Sequence, residues 1–217
     1  MKKRFFVTAI ITAFLMLCSL EAKAQTPQPA DLPKYEVGVD FSSFTFQYGE
    51  TQPGLGGRLT YNLNRHLALE AAGYFFPGKC EFCGGRGSIA EGLFGVKAGH
   101  RFKKWGIFAK GRPGLVRLSK GAYDFVANPA VPAFPFTFVF RSQTNLAADL
   151  GGVLEFYPSK KIVLRFDVGD TIVRYGRRTF NSPFQDPTTG TFSLVPFTVP
   201  AYTQHNPQLI GGVGFRF

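Results

Sequence analysis

The segment that decides the fold is 162–169, which reads Ile-Val-Leu-Arg-Phe-Asp-Val-Gly. Its even-numbered positions carry Ile, Leu, Phe and Val, whereas Arg165 and Asp167 lie between them. Alternation with a period of two puts apolar side chains on one face of a β-strand and polar side chains on the other. The segment therefore predicts a strand that separates an apolar environment from a polar one.

The same alternation recurs along the chain, and its spacing predicts the topology. We predict strands at about 35–46, 55–63, 66–76, 88–102, 105–117, 143–157, 161–175 and 206–217. Short connections at 64–65, 103–104 and 158–160 alternate strictly with longer ones at 47–54, 77–87, 118–142 and 176–205. Short periplasmic turns and long outer loops are typical of barrels in bacterial outer membranes. The pattern predicts an all-β fold, a closed antiparallel transmembrane β-barrel of about eight strands, with ten possible.

The start of the chain has the features of a cleaved secretory signal peptide. A charged start precedes an apolar stretch that ends at Leu20, and Ala22-Lys23-Ala24 forms an A-x-A cleavage site. No later apolar run reaches the roughly 20 residues that a helical membrane span needs. We predict an exported outer-membrane protein with three parts: a signal peptide (1–24), a Pro-rich leader (25–33) and a barrel domain (34–217).

The net charge of +11 constrains the partners. The signal peptide holds four of the 25 Lys and Arg and one of the 14 Asp and Glu, so the mature chain carries +8. An exported protein is not expected to meet nucleic acid. We therefore interpret the excess positive charge as attraction to outer-membrane lipids and lipopolysaccharide. A monomer is favoured.

The polar faces of the predicted strands carry equal numbers of acids and bases. An eight-stranded barrel is only wide enough inside for side chains, and an unpartnered buried ion costs several kcal/mol. We therefore predict a plugged, salt-bridged lumen; a narrow ion path along some of these residues is the alternative. The predicted lumen network comprises Glu36, Asp40, Arg58, Glu70, Glu91, Lys97, Arg101, Lys110, Arg112, Asp149, Glu155, Arg165, Asp167 and Arg216.

The sequence predicts no catalytic residue, metal site or cofactor. Cys80 and Cys83 are expected to form a local disulfide in an oxidising compartment. A redox dithiol would need a helix start, and a zinc site would need two further ligands. The three histidines are scattered and no G-x-S-x-G motif occurs.

Two of the long connections are unusually apolar. Residues 128–140 read Asn-Pro-Ala-Val-Pro-Ala-Phe-Pro-Phe-Thr-Phe-Val-Phe, and 191–202 read Thr-Phe-Ser-Leu-Val-Pro-Phe-Thr-Val-Pro-Ala-Tyr. One interpretation is that strands extend above the membrane and these segments pair or pack as a cap. The others are an apolar surface for lipid, a hydrophobic solute or a partner, or an extra strand pair that makes ten strands.

Aromatic side chains cluster near the predicted strand ends. In a membrane barrel they would form an interfacial girdle, and in a soluble β-domain they would pack in an ordinary core. The residues are Tyr35, Tyr61, Phe102, Trp105, Phe156 and Phe217.

The mature chain resembles the small outer-membrane β-barrel superfamily, the barrel-only proteins of the OmpA and OmpX type. The leader, the eight alternating segments and the closing Gly212-Val213-Gly214-Phe215-Arg216-Phe217 carry the resemblance. Phe215 and Phe217 look like the signal that the barrel-assembly machinery reads, which implies that machinery as a partner during biogenesis. The long Pro- and Phe-rich loops depart from the compact members.

Together these features predict a non-enzymatic outer-membrane barrel with a structural or surface-interaction role through its outer loops. A narrow channel or conduit for small or hydrophobic solutes is the alternative. A lipid-modifying enzyme is less expected, since it would need a Ser/His/acid cluster near the rim.

Overall fold

Ten β-strands make up the computed structural model, which describes residues 33–46, 50–78, 87–128, 130 and 134–217. The signal peptide, most of the leader, and Cys80 and Cys83 lie outside the described residues. In the part that is described, no helix is long and apolar enough to span a bilayer. The strands are β1 (Tyr35–Thr45), β2 (Thr51–Asn62), β3 (Leu67–Phe76), β4 (Ile89–Arg101), β5 (Trp105–Ala127), β6 (Phe136–Phe156), β7 (Ile162–Tyr175), β8 (Arg178–Gln185), β9 (Phe192–Val199) and β10 (Tyr202–Arg216).

Eight strands close into a barrel in the order β1-β10-β7-β6-β5-β4-β3-β2. All neighbours in this ring are antiparallel. The seam between β1 and β10 ends in two backbone hydrogen bonds: Tyr35 N donates to Phe217 O at 3.0 Å, and Phe217 N donates to Tyr35 O at 2.9 Å. Closure pairs the backbone around the whole ring, as a sheet in hydrocarbon requires. The predicted closed antiparallel barrel is confirmed.

The two ends of the barrel differ in their connections. The short connections at 63–66, 102–104 and 157–161, together with Tyr35 and Phe217, lie at one end, here called the turn end. The strand ends at Thr45, Phe76 and Tyr175 lie at the opposite end, here called the loop end. The six aromatic residues expected in a girdle are all exposed. At the turn end Phe102 stacks on Trp105 with ring centroids 4.2 Å apart, and Tyr35 stacks on Phe217 at 5.9 Å.

The outside of the barrel is an apolar band and the inside is polar over most of its length. β1 alternates between exposed and buried positions from end to end. On β6 the apolar outward positions run from Phe156 to Leu146, which is 68% exposed. That stretch measures about 33 Å along the strand. At a tilt of about 40° it covers about 25 Å of height, the apolar thickness that a membrane barrel presents.

β5 and β6 extend much further than the sequence predicted. Their last pairs with the neighbouring barrel strands are Leu118↔Ile89 and Leu146↔Arg174, but they remain paired with each other up to Ala127↔Phe136. A register shift between Leu118 and Ala122 adds residues on β5 only. The expected loop 118–142 is therefore mostly a two-stranded ribbon, because alternation resumes beyond the barrel.

The connection 176–205 holds a separate hairpin of β8 and β9, so the ten-stranded barrel is wrong: the two extra strands pair only with each other. Asp186 organises their turn by accepting hydrogen bonds from the backbone N–H of Thr188 at 2.7 Å and of Thr189 at 3.3 Å. These donors lower the pKa of Asp186. Gly190 completes the turn with a φ of 69°, a left-handed conformation that glycine adopts without strain.

Glycines on the inner wall give aromatic rings room to lie flat. The ring of Tyr74 covers Gly56 on the neighbouring strand. A Cβ at Gly56 would lie 2.3 Å from Cδ1 of Tyr74 and 2.2 Å from the carbonyl oxygen of Gly73. The wall at this point has no space for a methyl group.

We predict that Gly56→Ala lowers the free energy of unfolding by about 1–3 kcal/mol, because the backbone contact with Gly73 cannot relax cheaply. Urea unfolding of the refolded barrel in detergent micelles measures the change. Gly92→Ala is the matched control, since no atom lies within 4 Å of a Cβ placed at that outward-facing glycine. Equal destabilisation by the two substitutions would contradict the packing argument.

Candidate functional site

The centre of the lumen is a cluster of ion pairs around Glu70. Arg165 pairs with both carboxylate oxygens of Glu70, and its Nη2–Oε2 distance is 2.9 Å. Nζ of Lys97 lies 3.4 Å from Oε1 of Glu70, and Nη1 of Arg112 lies 3.7 Å from Oε2. These four residues come from β3, β4, β5 and β7. Their contacts brace the barrel wall across its interior.

Two aspartates continue the cluster on the β5–β7 side. Nζ of Lys110 lies between them, 3.0 Å from Oδ2 of Asp149 and 3.1 Å from Oδ2 of Asp167. Arg112 Nη2 lies 2.5 Å from Oδ2 of Asp149, and Arg165 Nε lies 2.6 Å from Oδ1 of Asp167. Each aspartate therefore contacts two cations.

Toward the turn end the network passes through Glu155. Lys97 forms a short ion pair with Glu155, and Arg101 Nη2 lies 3.6 Å from Oε2 of the same carboxylate. The hydroxyl of Tyr157 also donates to Oε2, at 2.7 Å. Arg101 Nη2 is 3.5 Å from Oε1 of Glu36. Charge pairing therefore extends from the middle of the barrel toward its turn end.

A second, smaller pair lies beside the β1–β10 seam. Arg58 binds Asp40, and the Tyr74 hydroxyl donates to Oδ2 of Asp40 at 3.4 Å. The guanidinium of Arg58 lies against two glycines, since a Cβ at Gly38 or Gly214 would come within about 3 Å of it. The seam is therefore built around a buried cation.

Two members of the predicted network have neutral partners instead. Glu91 accepts hydrogen bonds from Gln208 Nε2 at 2.9 Å and from Thr171 Oγ1 at 3.3 Å. Arg216 donates to the carbonyl of Ser159 at 3.0 Å, and its guanidinium carbon lies 4.2 Å from the ring centroid of Tyr157. Within the described residues, the ion pairs include every member of the predicted network except these two.

Sequence reasoning missed an apolar layer inside the loop end of the barrel. On β1 the inward-facing residues Asp40 and Ser42 are followed, two residues further on, by Phe44. On β3 the inward-facing Tyr74 is followed by Phe76. The change from polar to aromatic residues at these inward positions was the sequence signal that could have predicted the layer. The layer lies on the loop-end side of the charges and comprises the buried side chains Phe44, Phe76, Ile89, Val116, Leu118, Val173, Tyr175 and Ile210.

Outside the barrel, the β5–β6 ribbon and the β8–β9 hairpin lie side by side. Arg178 Nη1 donates to the carbonyl of Gly121 at 2.9 Å, and the N–H of Asn181 donates to Oδ1 of Asp124 at 2.9 Å. Aromatic contacts join the two units: the rings of Tyr123 and Phe180 are 4.8 Å apart, and those of Phe180 and Phe197 are 5.4 Å apart. We call Tyr123, Phe138, Phe140, Phe180 and Phe197 the aromatic face; all but Phe180 are exposed, Phe138 and Phe197 more than the other two.

An acid–imidazole pair lies on the outer wall near the loop end. Nδ1 of His205 is 2.5 Å from Oδ2 of Asp170, and both side chains are accessible. Among the described residues, no serine hydroxyl is within hydrogen-bond distance of His205, and no group of three or more His, Cys, Asp or Glu could hold a metal. The pair therefore does not complete a hydrolytic triad in the part of the chain that is described.

The closed ring of eight antiparallel strands, apolar outside and charged within, defines this chain as a transmembrane β-barrel. Similar folds occur among solved structures at 10–12% identity. Neisserial surface protein A has a TM-score of 0.48, with 84% of this chain and 96% of that chain covered. The N-terminal β-barrel domain of Pseudomonas aeruginosa OprF has a TM-score of 0.45, with 86% of this chain and 100% of that chain covered. The Pseudomonas aeruginosa outer membrane protein OprG has a TM-score of 0.44, with 88% of this chain and 99% of that chain covered.

No protein-family model and no curated protein matches the chain. The barrel assignment therefore depends on the strand pairing and the burial pattern of the chain itself.

We predict that Glu70→Gln lowers the free energy of unfolding by about 3–5 kcal/mol, because three buried cations lose their shared counter-charge. Glu91→Gln is the matched control: it makes the same change at a carboxyl that is equally buried but hydrogen-bonded to neutral groups. We expect it to cost less than about 1 kcal/mol. Chemical unfolding in micelles compares the two, and a loss at Glu91 as large as that at Glu70 would contradict the network.

Proposed function

We propose that this protein is a non-enzymatic barrel of the bacterial outer membrane, exported by a cleaved signal peptide. In this proposal the barrel is a sealed scaffold, and its role is a structural or surface-interaction role at the loop end. The observation that carries the proposal is the filled interior, in which buried ion pairs and an apolar layer follow each other along the barrel.

The two layers oppose transport for different reasons. An ion entering the apolar layer would lose much of its hydration among buried apolar side chains such as Phe44 and Phe76. Amides at the same level, such as Gln52 and Gln208, are themselves buried in the filled interior and leave it closed. An apolar solute that passed this layer would next have to separate the ion pairs of Glu70 and Arg165. This order of layers favours a scaffold over the alternative, a narrow conduit for small or hydrophobic solutes.

The loop end supports the interaction role. Beyond the barrel, the ribbon and the hairpin expose phenylalanines that they do not need for their own pairing; Phe138 and Phe197 are each 56% exposed. Exposed apolar clusters of this kind mark contact surfaces. For partners we propose outer-membrane lipids and lipopolysaccharide, with the barrel-assembly machinery acting on Phe215 and Phe217 during biogenesis.

A lipid-modifying enzyme remains the less favoured reading. Among the described residues, the observation that points to it is the Asp170–His205 pair, an acid and a base without a described serine to complete a triad. Profiles of membrane lipids with and without the protein would test this alternative, and a protein-dependent product would contradict the non-enzymatic role.

We predict that the refolded protein shows no stepwise conductance in planar lipid bilayers. A porin prepared in parallel serves as the positive control. Glu70→Gln and Phe76→Ala should each stay silent as well, because each leaves the other layer of the lumen in place. Stable openings of the unaltered protein would overturn the sealed-scaffold proposal.

A further inference from the structure

The outward side of β6 changes character in three steps toward the loop end. Its apolar stripe ends at Leu146. The next two outward positions are Thr144 and Ser142, which are exposed and polar, and they are followed by Phe140 and Phe138 of the aromatic face. β6 keeps its two-residue step here, since the register shift adds residues on β5. All of these side chains therefore lie on the same side of the strand as the lipid-facing stripe.

Two arginines flank the polar step, one on each neighbouring strand. Arg117 of β5 pairs in register with Thr144, and Arg174 of β7 pairs with Leu146. Both are exposed, and two strand spacings across with a two-residue offset along the strands put their backbones about 12 Å apart. Their hydrogen-bond partners are neutral: Arg117 Nη2 donates to Ser142 Oγ at 3.4 Å, and Arg174 Nη1 donates to Thr203 Oγ1 at 3.0 Å. Positive charge therefore lies at the upper border of the apolar band.

The aromatic face begins above these cations. Nζ of Lys120 lies 5.4 Å from the ring centroid of Phe140, and the rings of Tyr123 and Phe138 are 6.4 Å apart. Phe138 is about 26 Å along the strand from Leu146. If the ribbon keeps the strand tilt of about 40°, Phe138 lies about 20 Å above the apolar band.

We propose that this side of the barrel binds a phosphorylated glycolipid of the surrounding membrane. Its acyl chains lie on the stripe that ends at Leu146. Arg117 and Arg174 hold its anionic groups, because a guanidinium binds phosphate through paired N–H donors. Its saccharide rings pack against Tyr123, Phe138 and Phe140.

The height of the aromatic face selects the glycolipid over an ordinary phospholipid. The headgroup region of a bilayer leaflet is only about 5–8 Å thick, so a phosphoglycerol headgroup ends far below Phe138. A saccharide headgroup is long enough to contact the cations and the aromatic face together. A protein partner would have no use for cations at the border of the apolar band, so the three steps favour a lipid. This inference rests on the proposed interaction role of the loop end and gives the proposed lipopolysaccharide partner a defined binding site on the barrel.

Native mass spectrometry of the refolded protein tests the inference with three probes: rough-type lipopolysaccharide, diphosphoryl lipid A and phosphatidylglycerol. The unaltered protein should retain rough-type lipopolysaccharide at least ten times better than phosphatidylglycerol. Arg117→Gln with Arg174→Gln should reduce that retention about tenfold. Phe138→Ser with Phe140→Ser should lower retention of rough-type lipopolysaccharide to that of lipid A, because only the longer saccharide contacts the aromatic face.

Lys103→Gln with Lys104→Gln is the matched control, since it removes two exposed charges at the turn end and should leave retention unchanged. Arg117→Lys with Arg174→Lys keeps the charge but removes the paired N–H donors, so it should lower retention by about threefold, less than the glutamine variant does. If the glutamine variant fails to show the heat-modifiable gel mobility of the folded barrel, the lysine variant is the test, and unchanged retention by it would overturn the inference.

Equal retention of phosphatidylglycerol and rough-type lipopolysaccharide by the unaltered protein would overturn the inference. Unchanged retention after both arginines are neutralised would overturn it as well. The outcome is separable from the sealed-scaffold proposal: a silent barrel that retains no lipopolysaccharide contradicts the inference alone, and stable bilayer openings contradict the scaffold alone. Selective capture of a protein in place of the lipid would also count against the inference.

Discussion

Charges buried inside a narrow membrane barrel must be neutralised by charges of opposite sign. This constraint is strongest at Glu70, which contacts three buried cations. No bulk water is available to solvate an isolated ion in a lumen that side chains fill. Lys97, Arg112 and Arg165 come from three other strands to meet this one carboxylate. Each of these strands must therefore keep the register that places its charge at this level. A slip of one residue would move the charge to the lipid side.

The wall adapts to this filled interior through small residues. Gly56 gives Tyr74 room to lie against the wall, and Gly38 and Gly214 do the same for Arg58. A larger side chain at these positions would displace a ring or a guanidinium that has nowhere else to go. These glycines of the inner wall are therefore explained by the large side chains that lie against them and not by turns.

The fold could be predicted from the sequence because alternation with a period of two is a local property. Arg165 and Asp167 reveal the inner face of β7 with no knowledge of its neighbours. The identity of the partners could not be predicted, because Glu70 and Arg165 are far apart in the chain and meet only after closure. Glu91 shows the same limit, since a balanced count of charges does not tell which acid will face amide and hydroxyl groups.

The ends of the barrel strands were harder to predict, for a different reason. After a register shift between Leu118 and Ala122, pairing and alternation resume in β5 and β6 beyond the barrel, so the sequence pattern does not separate the end of the barrel from the end of the strands. The apolar layer escaped notice because Phe44 looks the same whether it faces lipid or the lumen. Phe44 can be placed inside only because it lies an even number of positions from Asp40 and Ser42, which face the lumen on the same strand.

The seam between β1 and β10 has a consequence for the time course of assembly. It joins Glu36 to Arg216, so every other barrel strand must be made before this pair can form. Contacts between such distant segments form late, because ordering the intervening chain costs entropy before they stabilise anything. Until then the growing sheet has two open edges, and Asp40 and Arg58 face a lumen that is not yet closed. Another molecule has to cover those edges during this interval, or the nascent sheets pair with each other and aggregate.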